Sequence, residues 1–149
     1  MLTAVLISIF QRDLEKLKEE IGLYNNEKSI WLTGKDISNS AGNLCLHLVG
    51  NLNTYIGKEL GGTDYVRNRE KEFSQKDISQ QELIEKVEAT AAIVVQALNQ
   101  LSEADLEKDY PVMVFEKNMS TQYFLVHLTS HLAYHLGQIN YHRRFFDID

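Results

Sequence analysis

The chain contains few of the residues that mark several classes of protein. Its one cysteine, Cys45, excludes a disulfide within the chain, and its only proline, Pro111, lies in a loop-like segment. Basic residues are also scarce, with 15 lysines and arginines against 21 acidic residues and a net charge of −6. Nucleic-acid-binding proteins and proteins of anionic membranes usually carry a basic surface. Neither nucleic acid nor a membrane is therefore expected as a partner.

Long apolar runs are lacking as well. The apolar segment at the N-terminus, MLTAVLISIF, covers residues 1–10 and is followed at once by charged residues. A membrane-spanning helix needs about 20 apolar residues, so this segment is too short. It also lacks the positively charged leader and the clear cleavage site of a secretory signal. Together with the single cysteine, these features predict a protein of the reducing cytoplasm.

The remaining composition is typical of one globular domain covering residues 1–149, with 44% hydrophobic and 24% charged residues. Apolar residues recur at helical spacing in four segments. The predicted helices cover residues 2–20, 40–56, 79–98 and 118–145, and the third begins with a capping box at Ser79 and Glu82.

The segments between the second and fourth predicted helices show no helical periodicity. Residues 61–77 are polar and are expected to be irregular. Residues 101–120 include a short β-prone run, VMVF, which indicates a long loop with a small hairpin as one alternative. Since no series of strands is present, the sequence predicts an all-α protein, a four-helix bundle.

Four of the five histidines lie in one stretch, HLTSHLAYHLGQINYHRR, and His127, His131 and His135 recur at intervals of four. Residues four apart on a helix lie ~6 Å apart along its axis, so two such imidazoles can bind one ion. His127 and His135 are ~12 Å apart, whereas zinc–nitrogen bonds are ~2 Å. One adjacent pair, either 127 and 131 or 131 and 135, can therefore share an ion.

A third ligand would come from His47, on the inner stripe of the second predicted helix. Facing helices of a bundle lie within ~10 Å of each other, so His47 can meet the fourth helix. Three neutral imidazoles and an open position are typical of a catalytic metal site. The alternative is that these histidines are hydrogen-bonded core residues. Cys45 lies ~200° around the helix from His47 and is predicted to be a core or interface residue.

The sequence also resembles a known family. HLAYHLGQI, from His131 to Ile139, resembles the His-x-x-x-His-x-Gly-Gln signature of the DinB-like superfamily. These proteins are metal-binding four-helix bundles that include bacillithiol- and mycothiol-dependent transferases. NLCLHLVGNLNTYI resembles the second helix of the family, and GGTDYVRNREKEFS resembles the segment that follows in one branch. The resemblance implies His47, His131 and His135 as ligands of a divalent transition metal, zinc or nickel.

The resemblance leaves His127 without a ligand role. His127 could line the mouth of a pocket as a proton carrier, but a hydrogen bond across the bundle is the favoured interpretation. Gln138 lies on the same side as the metal pair, where it could contact a ligand histidine. Gly137 is expected to permit close packing of helices. His142 lies beside two arginines and is expected to be solvated.

Other polar residues lie near the His47 stripe. Asn43, Asn51 and Tyr55 could orient a ligand histidine or a substrate, or could simply form hydrogen bonds in the core. Arg67 and Arg69 could hold an anionic substrate. Nearby acids, Glu70 and Glu72, are close enough in sequence to pair with these arginines instead.

The function expected from this pattern is metal-dependent transfer of a low-molecular-weight thiol to an electrophile. A metal-dependent hydrolase is an alternative, but the acidic residues mostly fall on outward faces, so a general base is not evident. A non-catalytic, metal-stabilised stress-response or binding module is the second alternative. A homodimer is also expected, because the first predicted helix is more apolar than one core stripe requires, at Val5 and Ile7.

Overall fold

The computed structural model describes residues 1–148 as six α-helices, with no strand among them. A 3-10 turn over Glu27–Trp31 follows the first helix, and a π-helical turn over Asn53–Lys58 continues the second. The α-helices are α1 (Leu2–Gly22), α2 (Ala41–Leu52), α3 (Arg69–Ser74), α4 (Gln80–Asn99), α5 (Glu103–Glu107) and α6 (Thr121–Phe146).

The four long helices, α1, α2, α4 and α6, correspond to the four predicted helices and form the bundle. The starts of these helices and the residues that they bury agree with the sequence pattern. The side chain of Ser79 accepts a hydrogen bond from the Glu82 amide at the start of α4, and Ser120 does the same for Tyr123 in α6. On α1 the apolar stripe is buried, from Leu6 to Ile21. The prediction of a helical bundle is confirmed.

Two predictions for the connecting segments are wrong. The segment expected to be irregular contains α3, and the long loop begins with α5, which has a capping box formed by Ser102 and Asp105. The hairpin does not form: a single antiparallel bridge joins Asp109 to Ser120. The VMVF run pairs with no strand within residues 1–148, and most of its side chains are exposed. A β-prone run without a partner cannot satisfy its backbone as a strand.

The position of α2 determines where the site forms. Nearly all of its residues are buried, because α2 contacts α3, α4 and α6. A polar side chain on α2 therefore enters the interior and needs a partner there. Within residues 1–148, no helix is both long and apolar enough to cross a membrane.

Candidate metal centre

The structure brings together the three histidines that the resemblance implied as ligands. His47 from α2 meets His131 and His135 from α6, and one ligand nitrogen of each lies within 4.8 Å of the others. The Nε2 atoms of His47 and His131 are 3.2 Å apart. The adjacent pair on α6 is thus 131 and 135, while His127 does not join the cluster.

Two of the three imidazole rings are held by hydrogen bonds at Nδ1. The Nδ1 atom of His47 lies 3.0 Å from Oε1 of Glu72, and Nδ1 of His135 lies 2.7 Å from Oε1 of Gln138. Both oxygens only accept hydrogen bonds, so each Nδ1 carries the proton. The Nε2 lone pairs of His47 and His135 are therefore available to a metal ion.

Glu72 is a site residue that the sequence did not indicate. It is buried, and Arg67 binds it through two hydrogen bonds of 2.8 and 3.0 Å. Burial alone would raise the pKa of Glu72, but hydrogen bonds from His47 and Arg67 outweigh it and lower the pKa. The carboxylate is therefore ionised and holds His47 in one orientation. Most acidic residues were expected on outward faces, and Glu72 is an exception that lies in the interior.

The segment that carries Glu72 is attached to α2 by Asn43. The amide of Asn43 donates to the backbone carbonyls of Glu72 and Gln75, at 2.9 and 2.8 Å. Asn43 thus acts through core hydrogen bonding, one of the two interpretations of the sequence. In the sequence, the asparagine four residues before His47 was the one local indication that α2 has a polar partner, which in the structure is the segment that carries Glu72.

The donor set fits a divalent transition metal. Burial, followed by the neighbouring His135 and His47, lowers the pKa of His131 to about 4, and burial also lowers that of His135. Both rings are therefore neutral at pH 7, as metal ligands must be. The Nδ1 atom of His131 has no hydrogen-bond partner within residues 1–148. Three imidazoles that meet at one point, two of them kept neutral by burial, suit zinc or nickel.

His127 lies one turn from the cluster, and its ring stacks on Phe124 at 5.8 Å and meets the edge of Phe115 at 4.9 Å. It makes no side-chain hydrogen bond to any residue in the described part of the chain. The hydrogen bond across the bundle that the sequence favoured is thus not formed. Instead His127 is half-buried and lines a cleft, as the other interpretation expected.

Two clefts with different lining residues border the histidine cluster. The first, of about 260 Å³, is lined by His47 and His131 and by polar residues that include Asn51, Tyr55, Arg67, Arg69 and His127. The second, of about 390 Å³, touches His135 and Gln138. The rest of its wall combines apolar and polar residues: Ile37, Leu44, Tyr141, Phe145, Asp36, Ser38, Asn39 and His142. Each of the three histidines of the candidate centre therefore lines one of the two clefts.

His142 is buried, contrary to expectation. Its Nε2 atom lies 2.8 Å from the backbone oxygen of Leu32, which can only accept, so Nε2 carries a proton. The Tyr24 hydroxyl then donates to Nδ1 at 2.7 Å. Burial lowers the pKa of His142. The segment that follows α1, with Tyr24 and Leu32, covers this part of α6. The two arginines next to His142 in the sequence gave no indication of this cover.

Two smaller expectations have different outcomes. Cys45 is a buried core residue as predicted, and burial raises the pKa of its thiol to about 12, so it is no nucleophile at neutral pH. Gly137 does not permit close packing within the chain, because a Cβ atom added there would meet no atom within 4 Å.

The fold and the cluster together define an all-helical protein in which three histidines could hold a metal ion. Residues 6–148 match the family described as "Protein of unknown function (DUF1572)", and the chain belongs to this family. The fold is similar to that of a conserved protein from Enterococcus faecalis, known from a crystal structure. The TM-score is 0.71 and the identity 16%, over 97% of this chain and 96% of that chain. No curated protein matches the sequence.

Proposed function

We propose that the protein is a divalent-metal-dependent enzyme of the DinB-like superfamily that transfers a low-molecular-weight thiol to an electrophile. The observation that carries the proposal is the meeting of His47, His131 and His135 in a cluster that two clefts border. The superfamily assignment is supported by the His-x-x-x-His-x-Gly-Gln signature and by the four-helix layout.

Zinc or nickel is the proposed ion. Three protein ligands leave a coordination position for a substrate, which is the arrangement of catalytic rather than structural zinc sites. A divalent ion at such a position acts as a Lewis acid and favours the thiolate form of a thiol near neutral pH. Glu72 and Gln138 hold two of the ligand rings in place, so little reorganisation is needed on binding.

The two clefts support a reaction of two substrates. The polar cleft beside His47 and His131 suits the thiol, because its polar and cationic wall can hold the rest of a charged cofactor. The cleft beside His135, which has Ile37, Leu44 and Phe145 in its wall, suits the apolar part of an electrophile. Holding both next to the same centre converts a bimolecular encounter into a reaction within one complex. In the transfer, a carbon–sulfur bond forms, the leaving group departs with its electron pair, and the thiol proton passes to solvent.

A thiol-transfer assay tests this proposal. The zinc- or nickel-supplemented protein is mixed with cysteine, glutathione, N-acetylcysteine or bacillithiol and a chlorodinitrobenzene, and chloride displacement is followed by absorbance. We expect at least one thiol to react faster with the wild type than with the His131→Ala, His135→Ala double variant. Arg144→Gln, which alters an exposed residue outside the site, should match the wild type. Equal rates for the double variant and the wild type would contradict the proposal, leaving a non-catalytic module.

Hydrolysis is a second candidate, and it depends on His127. Glu72 is bound by Arg67 and His47, so it is not free to act as a general base. His127 lines the polar cleft without a hydrogen-bond partner in the described residues, so it could accept a proton from water. Metal-dependent ester hydrolysis that is lost in His127→Gln, with the metal retained, would favour this candidate over thiol transfer.

A further inference from the structure

One wall of the polar cleft is formed by a loop rather than by a helix. Residues 111–118, between α5 and α6, supply Val114 and Phe115 to the lining of the cleft. Val114 packs partly against the core. The other lining residues lie on α2 and the segments that follow it as far as α3, or on α6. A movement of this loop alone would therefore change access to the cleft.

The loop is closed at its base and has no backbone hydrogen bonds beyond it. The Tyr110 amide donates to the carbonyl oxygen of Met119, and the Thr121 amide donates to that of Lys108, each at 2.8 Å. Within the described residues, the backbone groups of 111–118 form no hydrogen bond with another backbone group. Seven of these eight residues are exposed. The loop can thus leave the body of the protein without breaking a helix or a strand pairing.

Side-chain contacts hold the loop against α6. The ring of Phe115 lies 4.9 Å from that of His127 and 6.1 Å from that of Phe124, in both cases close to edge on. Phe115 is nevertheless 45% exposed. The ammonium group of Lys117 lies 6.0 Å from the centre of the Tyr123 ring. Contacts of these kinds are individually weak, so the loop is held in place by little free energy.

The loop is also strained next to the residue that contacts the cleft. Glu116 has a φ angle of 59°, in the left-handed region that residues other than glycine and asparagine rarely adopt. It directly follows Phe115, so the turn that places the Phe115 ring over His127 is the strained one. Strain of this kind is typical of segments that switch between conformations beside a binding site.

We propose that residues 111–118 form a lid over the polar cleft, which Phe115 holds closed and whose opening admits a ligand to His127 and His131. Closure of such a lid limits the entry of bulk water to the cleft. The other cleft, beside His135, has no residue of the loop in its wall within residues 1–148, so the lid should not affect it. The inference concerns access alone and requires neither a metal ion nor thiol transfer.

Trypsin tests whether Phe115 holds the loop. The cleavage site in the loop follows Lys117, and cleavage requires the chain there to leave the body of the protein. The rate for chelator-treated protein is divided by that for a synthetic peptide of residues 109–121 with the same substitution. This ratio removes the effect of local sequence on trypsin. Phe115→Ala should raise it about fivefold, because two aromatic contacts are lost. Met113→Ala, at an exposed residue that does not line the cleft, should leave it unchanged.

Histidine labelling tests whether the loop controls access to the cleft. Diethyl pyrocarbonate modifies accessible imidazoles, and tandem mass spectrometry separates His127 from His135. Glu116→Asn should favour the closed loop, because asparagine tolerates the left-handed conformation, and should slow the labelling of His127 about threefold. The labelling of His135 should not change. Asp77→Asn is the matched control: Asp77 has a φ angle of 61° outside the loop, and its replacement should affect neither histidine.

The inference is overturned if Phe115→Ala and Met113→Ala give the same cleavage ratio, since Phe115 would then not hold the loop. It is also overturned if Glu116→Asn leaves the labelling of His127 unchanged, or slows that of His135 equally. Because all measurements use chelator-treated protein, a protein without thiol-transfer activity can still show the lid, and an active protein can lack it.

Discussion

Gly50 on α2 lies directly against the carboxylate of Glu72. A Cβ atom at position 50 would overlap the Oε2 atom of Glu72, whose other oxygen lies 3.0 Å from Nδ1 of His47. Glu72 can thus reach the interior only because the helix surface beside His47 has no side chain at this point. The short helix α3, the arginine that pairs with Glu72 and the orientation of His47 all depend on that close approach.

Gly50→Ala should therefore destabilise the protein, although glycine to alanine within a helix ordinarily stabilises by about 0.5–1 kcal/mol. The added methyl group displaces a buried, paired carboxylate, so we expect a loss of more than about 1 kcal/mol. The measurement is urea unfolding of chelator-treated protein. Gly22→Ala, at the last residue of α1, is the control, because its Cβ atom would make only ordinary contact with Ile84 at 3.7 Å and should cause no such loss. Stabilisation by both changes would contradict the account.

Glu72→Gln should weaken metal binding about 10- to 100-fold, the usual effect of removing a group that orients a ligand histidine. The amide keeps the shape of the side chain but not the charge that fixes the proton on Nδ1 of His47. Competition with a chromogenic chelator gives the affinity. Glu70→Gln, which alters an exposed acid on the same helix, should bind metal as the wild type does. If the two variants bind metal equally, Glu72 does not orient the site.

The pH dependence of stability should include a contribution from His142. Its pKa is lowered by burial in the folded protein and is ~6.5 in the unfolded chain, which therefore binds protons more readily as the pH falls. The stability gained from keeping His142 neutral is fully present above pH ~6.5. It is lost as the pH falls through the lower pKa that His142 has in the folded protein. Between pH 7 and pH 5 the Tm of chelator-treated wild type should fall further than that of His142→Gln. Parallel pH profiles would show that His142 does not titrate as described.

The sequence suggested α1 as the interface of the expected homodimer; we propose the outer face of α6 instead. Of the two residues expected from the sequence, Val5 is half-exposed and Ile7 packs partly against the core, whereas α6 exposes Tyr134 and Tyr141 by 66% and 76%. Light scattering at micromolar concentration should give twice the 17.1 kDa chain mass. Tyr134→Lys should shift it to one chain mass, and Met113→Lys, at an exposed apolar residue outside α6, should not. A wild-type protein of one chain mass would contradict the dimer.

The sequence predicted the long helices well because each carries an apolar stripe over several turns. It missed α3 because a helix of six residues is too short to show a period, and the residue it buries, Glu72, is charged. Burial of that acid is compensated by Arg67 and His47. The sequence allowed the pairing with Arg67, which is close by, but gave no sign of the contact with His47 on α2.

The histidines show the same limit. His131 and His135 could be assigned from spacing and resemblance, since both features are local to α6. His142 was expected to be solvated because of its arginine neighbours, yet it follows His135 by two helical turns and so lies on the same side of α6. For predicting the burial of His142, its spacing from His135 was more informative than the charge of its neighbours in the sequence. The partner of His142, Tyr24, lies just after α1, far away in the sequence, and could not be inferred from local patterns.

The most direct test of the account is the metal content of protein purified without a metal-affinity tag. Elemental analysis should find about one zinc or nickel ion per chain in the wild type, since three imidazoles form one site. His127→Ala should retain the ion, because His127 is outside the cluster. The His131→Ala, His135→Ala double variant should contain almost none. A metal-free wild type after zinc and nickel supplementation, or full metal in the double variant, would contradict the proposed centre.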